Sequence, residues 1–213
     1  MKKVFLALTV VLLAASCKVD SKNKVETSES KKVEVVEISE VFTVEVNSST
    51  VNWKGYKPTG EHFGTIGISE GTLNLKDGKL IGGTFTFDMN SIKVTDMPAD
   101  NEYNAKLVGH LKSGDFFDVE QFSTASFEIT SVTEAEEKLN VSGNLTAKGI
   151  SKNITIPAIL TNDNGVLTLT SDAFKVDRTE FGIQYKSTKL VDVIKEKSID
   201  DLFEMTFKVK ASK

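Results

Sequence analysis

The chain has 213 residues, 39% hydrophobic and 26% charged, proportions of a globular domain rather than of a protein crossing a membrane many times. Its 26 basic and 30 acidic side chains give a formal net charge of −4, so it has no general attraction for phosphate backbones and nucleic-acid binding is not expected. Thirteen phenylalanines stand against one tryptophan and three tyrosines; phenylalanine carries apolar area without a hydrogen-bonding handle, and so many of them either fill a core or wall a cavity for something apolar.

The chain opens on the basic Met1-Lys2-Lys3 and continues in VFLALTVVLLAAS, a run of 13 apolar or small residues. That is short for a membrane-spanning helix and has the pattern of a secretory signal. It ends in Ala14-Ala15-Ser16-Cys17, which resembles the lipobox of bacterial lipoproteins, where the cysteine is diacylated and becomes the mature N-terminus. The resemblance implies a signal peptide over residues 1–16 and a lipid anchor on Cys17, the only cysteine. Lys18 in place of aspartate resembles the sorting pattern of outer-membrane lipoproteins, with the folded domain in the periplasm. From residue 18 to about 40 the chain is rich in Lys, Glu and Ser and has no aromatic residue. Such a composition buries too little surface to offset ordering entropy, so residues 17–41 are expected to be anchor and flexible tether, and residues 42–213 the folded domain.

From Phe42 on, alternation of period two dominates. GGTFTFDM places Phe85, Phe87 and Met89 on one face. In DMPADNEYNAKLVGHL the pattern changes: Pro98 suits a first helical turn, acidic Asp100 and Glu102 suit the positive end of the dipole, and Tyr103, Leu107, His110 and Leu111 fall at helical spacing until Gly114. DFFDVEQF follows, with three phenylalanines in eight residues. SFEIT then pairs Phe127 with Ile129. KLNVSGNLTA offers Leu139, Val141, Gly143 and Leu145; KNITIPAIL offers Ile154, Ile156, Ala158 and Leu160; VLTLTS offers Leu167 and Leu169. FEMTFKVK sets Phe203, Met205, Phe207 and Val209 opposite Glu204, Thr206, Lys208 and Lys210. One-sided strands belong to antiparallel sheets, and Asp77-Gly78, Lys148-Gly149 and Asn164-Gly165 mark tight turns between them. The expectation is an all-β fold, an antiparallel barrel of about eight strands with one short helix; closure would remove the exposed edges. A barrel of that size is either filled by side chains or holds one small ligand.

Several segments, in order, resemble the YceI-like family. They are Val51-Asn52-Trp53, His62-Phe63-Gly64, Asp88 to Ile92 as a link into the helix, His110-Leu111-Lys112-Ser113-Gly114-Asp115-Phe116-Phe117-Asp118, the strand residue Phe127, Val141 to Gly149, and Arg178-Thr179-Glu180-Phe181-Gly182-Ile183. The resemblance spans roughly Phe42 to Lys210. It implies a lipocalin-like barrel around an elongated apolar cavity, with a polyisoprenoid-like lipid chain inside and its head group at the mouth.

On that reading Phe85, Phe87, Phe127, Val141, Phe203, Met205 and Phe207 meet the chain of the lipid. Tyr103, Leu107 and Leu111 cover one end as a lid. Phe116 and Phe117, adjacent in an extended chain, point to opposite faces, one closing the barrel and the other packing beneath it. His110 and Arg178 face the head group, although Arg178 equally suits a surface pair with Asp177 or Glu180. The two histidines lack metal spacing, and no nucleophile elbow or phosphate loop is present, so neither metal, cofactor nor catalytic activity is expected. The function implied is a membrane-anchored carrier or reservoir for an apolar lipid. The alternative is a filled barrel acting as a structural or protein-interaction module.

Overall fold

A computed structural model describes residues 22–33, 37–189 and 194–213. Cys17 and the apolar run before it lie outside the described residues. Strand β1 is Ser28–Glu29, β2 Glu40–Val44, β3 Thr50–Lys57, β4 Gly60–Lys76 and β5 Lys79–Val94. The helix α1 covers Glu102–Lys112. After it come β6 (Thr124–Ala135), β7 (Lys138–Ala147), β8 (Ile150–Asp163), β9 (Val166–Ser171), β10 (Phe174–Asp177) and β11 (Leu202–Ser212).

These strands close a ring. β4 to β8 follow one another as antiparallel neighbours, β8 pairs with β9, and β9 and β10 pair with successive stretches of β11. The other edge of β11 takes β2 and β3, which both return to β4. β2 with β3, and β9 with β10, each act as one broken strand, so the expected eight-position barrel is built from more and shorter pieces. The three hairpins marked in the sequence turn through left-handed residues in pairs: Asp77 with Gly78, Lys148 with Gly149, and Asn164 with Gly165. Backbone of that hand matches the twist of the flanking strands. The β6–β7 turn, with Glu136 left-handed and no glycine, carried no such signal.

The helix starts later than its proline suggested. Pro98 lies before it, and Asn101 is the N-cap, its side chain accepting from the Tyr103 amide. The link Asp88 to Ile92 is not a connector but part of β5, which continues to Val94. Helix and barrel are clamped by buried Asn104, whose Nδ2 donates to the carbonyls of Val94, Met97 and Pro98 at 3.1, 3.0 and 3.3 Å.

The expected free tether is corrected over its described part. Between β8 and β10 the barrel has a seam, because β9 leaves β8 only at its far half. Residues 23–29 run through that seam. Asn23 and Val25 exchange backbone hydrogen bonds with Lys175 of β10, both 2.9 Å, and Ser28 and Glu29 pair with Asn153 and Lys152 of β8. Val25 is only 7% exposed and belongs to the barrel core. These main-chain pairings and one buried valine hold the segment where its polar composition alone predicted disorder.

Candidate functional site

The interior divides into two groups of side chains stacked along the barrel axis. The strands show this directly. On β3, Val51 lies in the first group and Trp53 and Gly55 in the second; on β5, Phe85 and Phe87 precede Met89 and Ile92. On β11 the order is reversed, with Phe203 in the second group and Phe207 and Val209 in the first. Each group surrounds a cavity, of about 60 Å³ and about 110 Å³ respectively. Leu145 and Met205 line both and form the partition between them.

Period-two alternation thus brings the expected chain-binding residues together. Phe85, Phe87, Phe127, Val141, Met205 and Phe207 meet in the first cavity, and Phe203 joins Met205 in the second. Gly143 explains why this packing works. A Cβ there would stand 2.4 Å from Phe127 Cζ, so the missing side chain makes room for the aromatic ring. Gly64 plays a similar part across the barrel: a Cβ would fall 1.8 Å from the Lys93 carbonyl oxygen and 2.9 Å from Trp53 Cζ2.

The second cavity is closed by α1 and the turn after it. Leu111, Phe116 and Phe117 all line it. The extended geometry expected for the two phenylalanines does not occur. Residues 113–117 form a tight turn, with Phe116 N–H donating to Ser113 O and Phe117 N–H to Leu111 O, and this folds both rings toward the same cavity. Phe122 packs against the β7–β8 turn at Gly149 instead. The three phenylalanines of DFFDVEQF are therefore a plug and its outer buttress.

Of the two polar residues expected at the mouth, Arg178 borders the second cavity and His110 stands elsewhere. His110 lines neither cavity among the described surroundings. Its Nε2 lies 3.0 Å from Asp115 Oδ2, and its ring packs edge-on against Phe116 and Tyr185, centroids 5.0 and 4.8 Å away. Leu107 packs partly buried against the plug, whereas Tyr103 is 63% exposed with Lys106 over its ring. The lid is thus Leu111 with the phenylalanine turn, and Tyr103 takes no part in it.

Arg178 differs from both of its expected roles. It borders the second cavity but is 4% exposed, and its donors are committed to the protein. Nε donates to Asp200 O, Nη1 to Ile183 O and Nη2 to Ile199 O, at 2.9, 2.9 and 3.0 Å, with Asp201 Oδ1 3.3 Å from Nη2. Burial draws its pKa down, against the opposing charges of Asp201, Asp177 and Asp200. A buried guanidinium has to satisfy its fork internally. Here the fork ties the start of β11 to the short 3₁₀ turn Arg178–Phe181, which Asp177 caps and left-handed Gly182 ends. Asp201 and Tyr185, which complete these contacts, carried no sequence signal because their partners are distant in the chain.

Trp53 was visible only as the opening-strand tryptophan. It faces the second cavity, and its Nε1 is the one buried side-chain polar atom without a hydrogen-bond partner among the described residues.

A family model described as the YceI-like domain matches residues 42–211. A UPF0312 protein of Vibrio vulnificus strain YJ016 is 39% identical over 83 residues, 36% of this chain and 44% of its own. Protein YceI of Salmonella arizonae is 37% identical over 84 residues, 37% of this chain and again 44% of its own length. The chain therefore matches less than half the length of these relatives. Among solved structures, Burkholderia cenocepacia BcnA superposes with a TM-score of 0.64 at 18% identity, over 79% of this chain and 99% of that one. A polyisoprenoid binding domain from Saccharophagus degradans, implicated in plant cell wall breakdown, superposes with a TM-score of 0.58 at 12% identity, over 83% and 99%. At these identities the likeness is one of fold.

Proposed function

The chain belongs to the YceI-like family, and on that premise we propose that it holds the apolar chain of an isoprenoid-type lipid inside its barrel, as an envelope-anchored carrier or reservoir. The observation that carries this reading is the pair of apolar cavities on one axis, with Leu145 and Met205 lining both. The polyisoprenoid-binding description of the Saccharophagus degradans domain supports it. Neither cavity reaches the roughly 300 Å³ of a small-molecule pocket. Uptake therefore requires the partition to move, and Met205, unbranched and readily repacked, is suited to that. The same small volumes favour a second reading, a filled barrel with a structural or interaction role.

Native mass spectrometry of protein purified from its own envelope, with identification of any retained lipid, separates the two. An isoprenoid adduct at near-unit occupancy is expected; repeated preparations free of lipid would leave the filled barrel. Anchoring is a separate part of the proposal and rests on Ala14-Ala15-Ser16-Cys17. Cys17→Ser should block processing or release the protein from the membrane fraction, and unchanged fractionation would remove the anchor.

Energetics set a condition on the ligand. Burying ten methylenes from water is worth about 8 kcal/mol, but a lipid already in a bilayer is dry and that gain largely cancels. Selection over the membrane has to come from cavity shape and from any polar contact inside.

A further inference from the structure

The pairing of residues 23–29 with the barrel fixes the point from which an anchor would pull. A tether running free from residue 18 to about 40 would let the domain turn in any direction above a membrane. Asn23 and Val25 are instead bonded to Lys175 of β10, so only residues 18–22 separate Cys17 from the barrel wall. Fully extended, that stretch of backbone reaches about 20 Å. The surface around Asn23 is then held close to any bilayer that holds Cys17.

That surface is basic, in a chain whose formal net charge is −4. Lys24 lines one wall of a cleft, Lys57 and Pro58 at the β3–β4 turn line another, and Lys189, Lys195 and Ile199 complete it. Lys57, Lys189 and Lys195 are exposed. Lys189 is tied to Asp177 and Asp201, at 2.8 and 3.6 Å. Lys57 meets the His62 ring at 3.3 Å, and Lys24, Lys57 and Lys195 have no carboxylate partner among the described residues. The acids of the cleft are engaged inward: Asp201 with Arg178 and Lys189, and Asp200 with the Leu202 amide. Glu196, exposed beside Lys195, subtracts one charge from the rim. Ile194 is 65% exposed on the other side of Lys195. An aliphatic side chain among lysines suits the head-group layer, where ammonium groups meet phosphates and the aliphatic group enters the acyl boundary. Ile199 and Asp200 line both this cleft and the second cavity, so the basic face adjoins that cavity through one wall.

We propose that this face is a membrane-docking surface: with Cys17 in the bilayer, Lys24, Lys57 and Lys195 contact anionic phosphate head groups of the same membrane, and Ile194 seats beside them. The proposal rests on the anchor at Cys17. The barrel then stands with the β3–β4 turn toward the lipid and the β4–β5 turn, at the far end of the long strand β4, away from it. A lysine close to an anionic surface is worth about fivefold in binding, so the three together favour the docked state about a hundredfold. The attraction fades beyond about 8 Å at physiological ionic strength, and the short tether is what brings these lysines within that range.

The test uses the full chain, purified from its envelope and reconstituted with vesicles of phosphatidylcholine, with and without phosphatidylglycerol. Flotation reports the anchor, and the rate at which each lysine is acetylated, read by mass spectrometry, reports the docked face. Labelling of Lys24, Lys57 and Lys195 should slow at least about tenfold when phosphatidylglycerol is present, and high salt should reverse the effect. Lys79, 72% exposed at the β4–β5 turn, should label alike on both vesicles. Lys57→Gln combined with Lys195→Gln, both at exposed positions, should float as wild type does while Lys24 regains most of its labelling. Flotation without slowing at the three lysines, equal slowing at Lys79, or undiminished protection of Lys24 in the double variant overturns the docking surface while the anchor stands. A chain that fails to float with phosphatidylcholine alone removes the anchor, and this inference with it.

Discussion

Asp177 and Arg178 are neighbours with opposite demands. Arg178 turns inward and is consumed by carbonyls, whereas Asp177, equally buried, accepts from Lys189 Nζ at 2.8 Å and from the Thr179 hydroxyl at 2.6 Å. Burial pushes the Asp177 carboxyl up, but the Lys189 and Thr179 hydrogen bonds outweigh it and the net pKa lies below the ordinary value. A lowered carboxyl contributes stability that is complete above its unfolded pKa of about 4 and is lost as pH falls through its folded value. Thermal melts from neutral pH downward should therefore show wild type losing stability below about pH 4, with Asp177→Asn flatter over that window. Asp96 retains a share of the acid loss, since its pKa too is net lowered: burial raises it, and the hydrogen bond with His62 and that from the Phe63 amide more than compensate. Parallel curves for wild type and Asp177→Asn would show that the Asp177 contacts carry no linkage. None of this was legible in RTEFG. The motif marks a turn and a buried ring, but Arg178 meets Asp201 and Asp177 meets Lys189 only through the fold, so the arginine read equally well as a head-group ligand.

At the scale of elements the sequence was more readable, and for a physical reason. A strand with one buried face repeats its apolar residues every second position, so Phe85 with Phe87, and Met205 with Phe207, declared their common face without knowledge of their partners. The same rule failed at Phe116-Phe117, because it presumes an extended chain and a turn reverses it. β11 illustrates what the alternation builds. Phe203, Met205, Phe207 and Val209 run the length of both cavities, and Met205 sits at the partition. Met205→Ala should merge the cavities at a stability cost of about 2–5 kcal/mol, read as a lower urea midpoint. An isoprenoid that occupies the merged space should recover part of that loss, since binding only the native state stabilises it by mass action. A variant equally stable with and without the lipid would show that the partition does not govern occupancy.

For the whole molecule, the instructive segment is the one that composition assigned to disorder. The ring would close imperfectly on its own, because β9 covers only the far half of the edge that β8 offers and β10 does not pair with β8. Residues 23–29 supply the missing backbone partners, bridging β10 at Lys175 and β8 at Asn153, and a second pair of bonds joins Lys31 to the Asn144 side chain: the Lys31 amide donates to Oδ1 at 2.9 Å, and Nδ2 donates to the Lys31 carbonyl at 2.7 Å. A polar chain can be held this way because main-chain hydrogen bonds do not depend on side-chain identity, which is also why the sequence did not reveal it. The apolar anchor of the segment is Val25 alone, and burying one valine is worth about 1.5–3 kcal/mol. Val25→Asp should therefore free the segment without unfolding the barrel. Hydrogen exchange at the Lys175 amide, which donates to Asn23 O, should quicken roughly tenfold to a hundredfold, while amides in the β4–β5 pairing keep their protection. Val33→Asp, at a position already exposed, is the control and should change neither. Unchanged exchange at Lys175 in the Val25 variant would mean that the backbone bonds hold the seam unaided. Acceleration across the whole barrel would mean that the barrel depends on this segment as a whole and that it is not a local bridge across the seam.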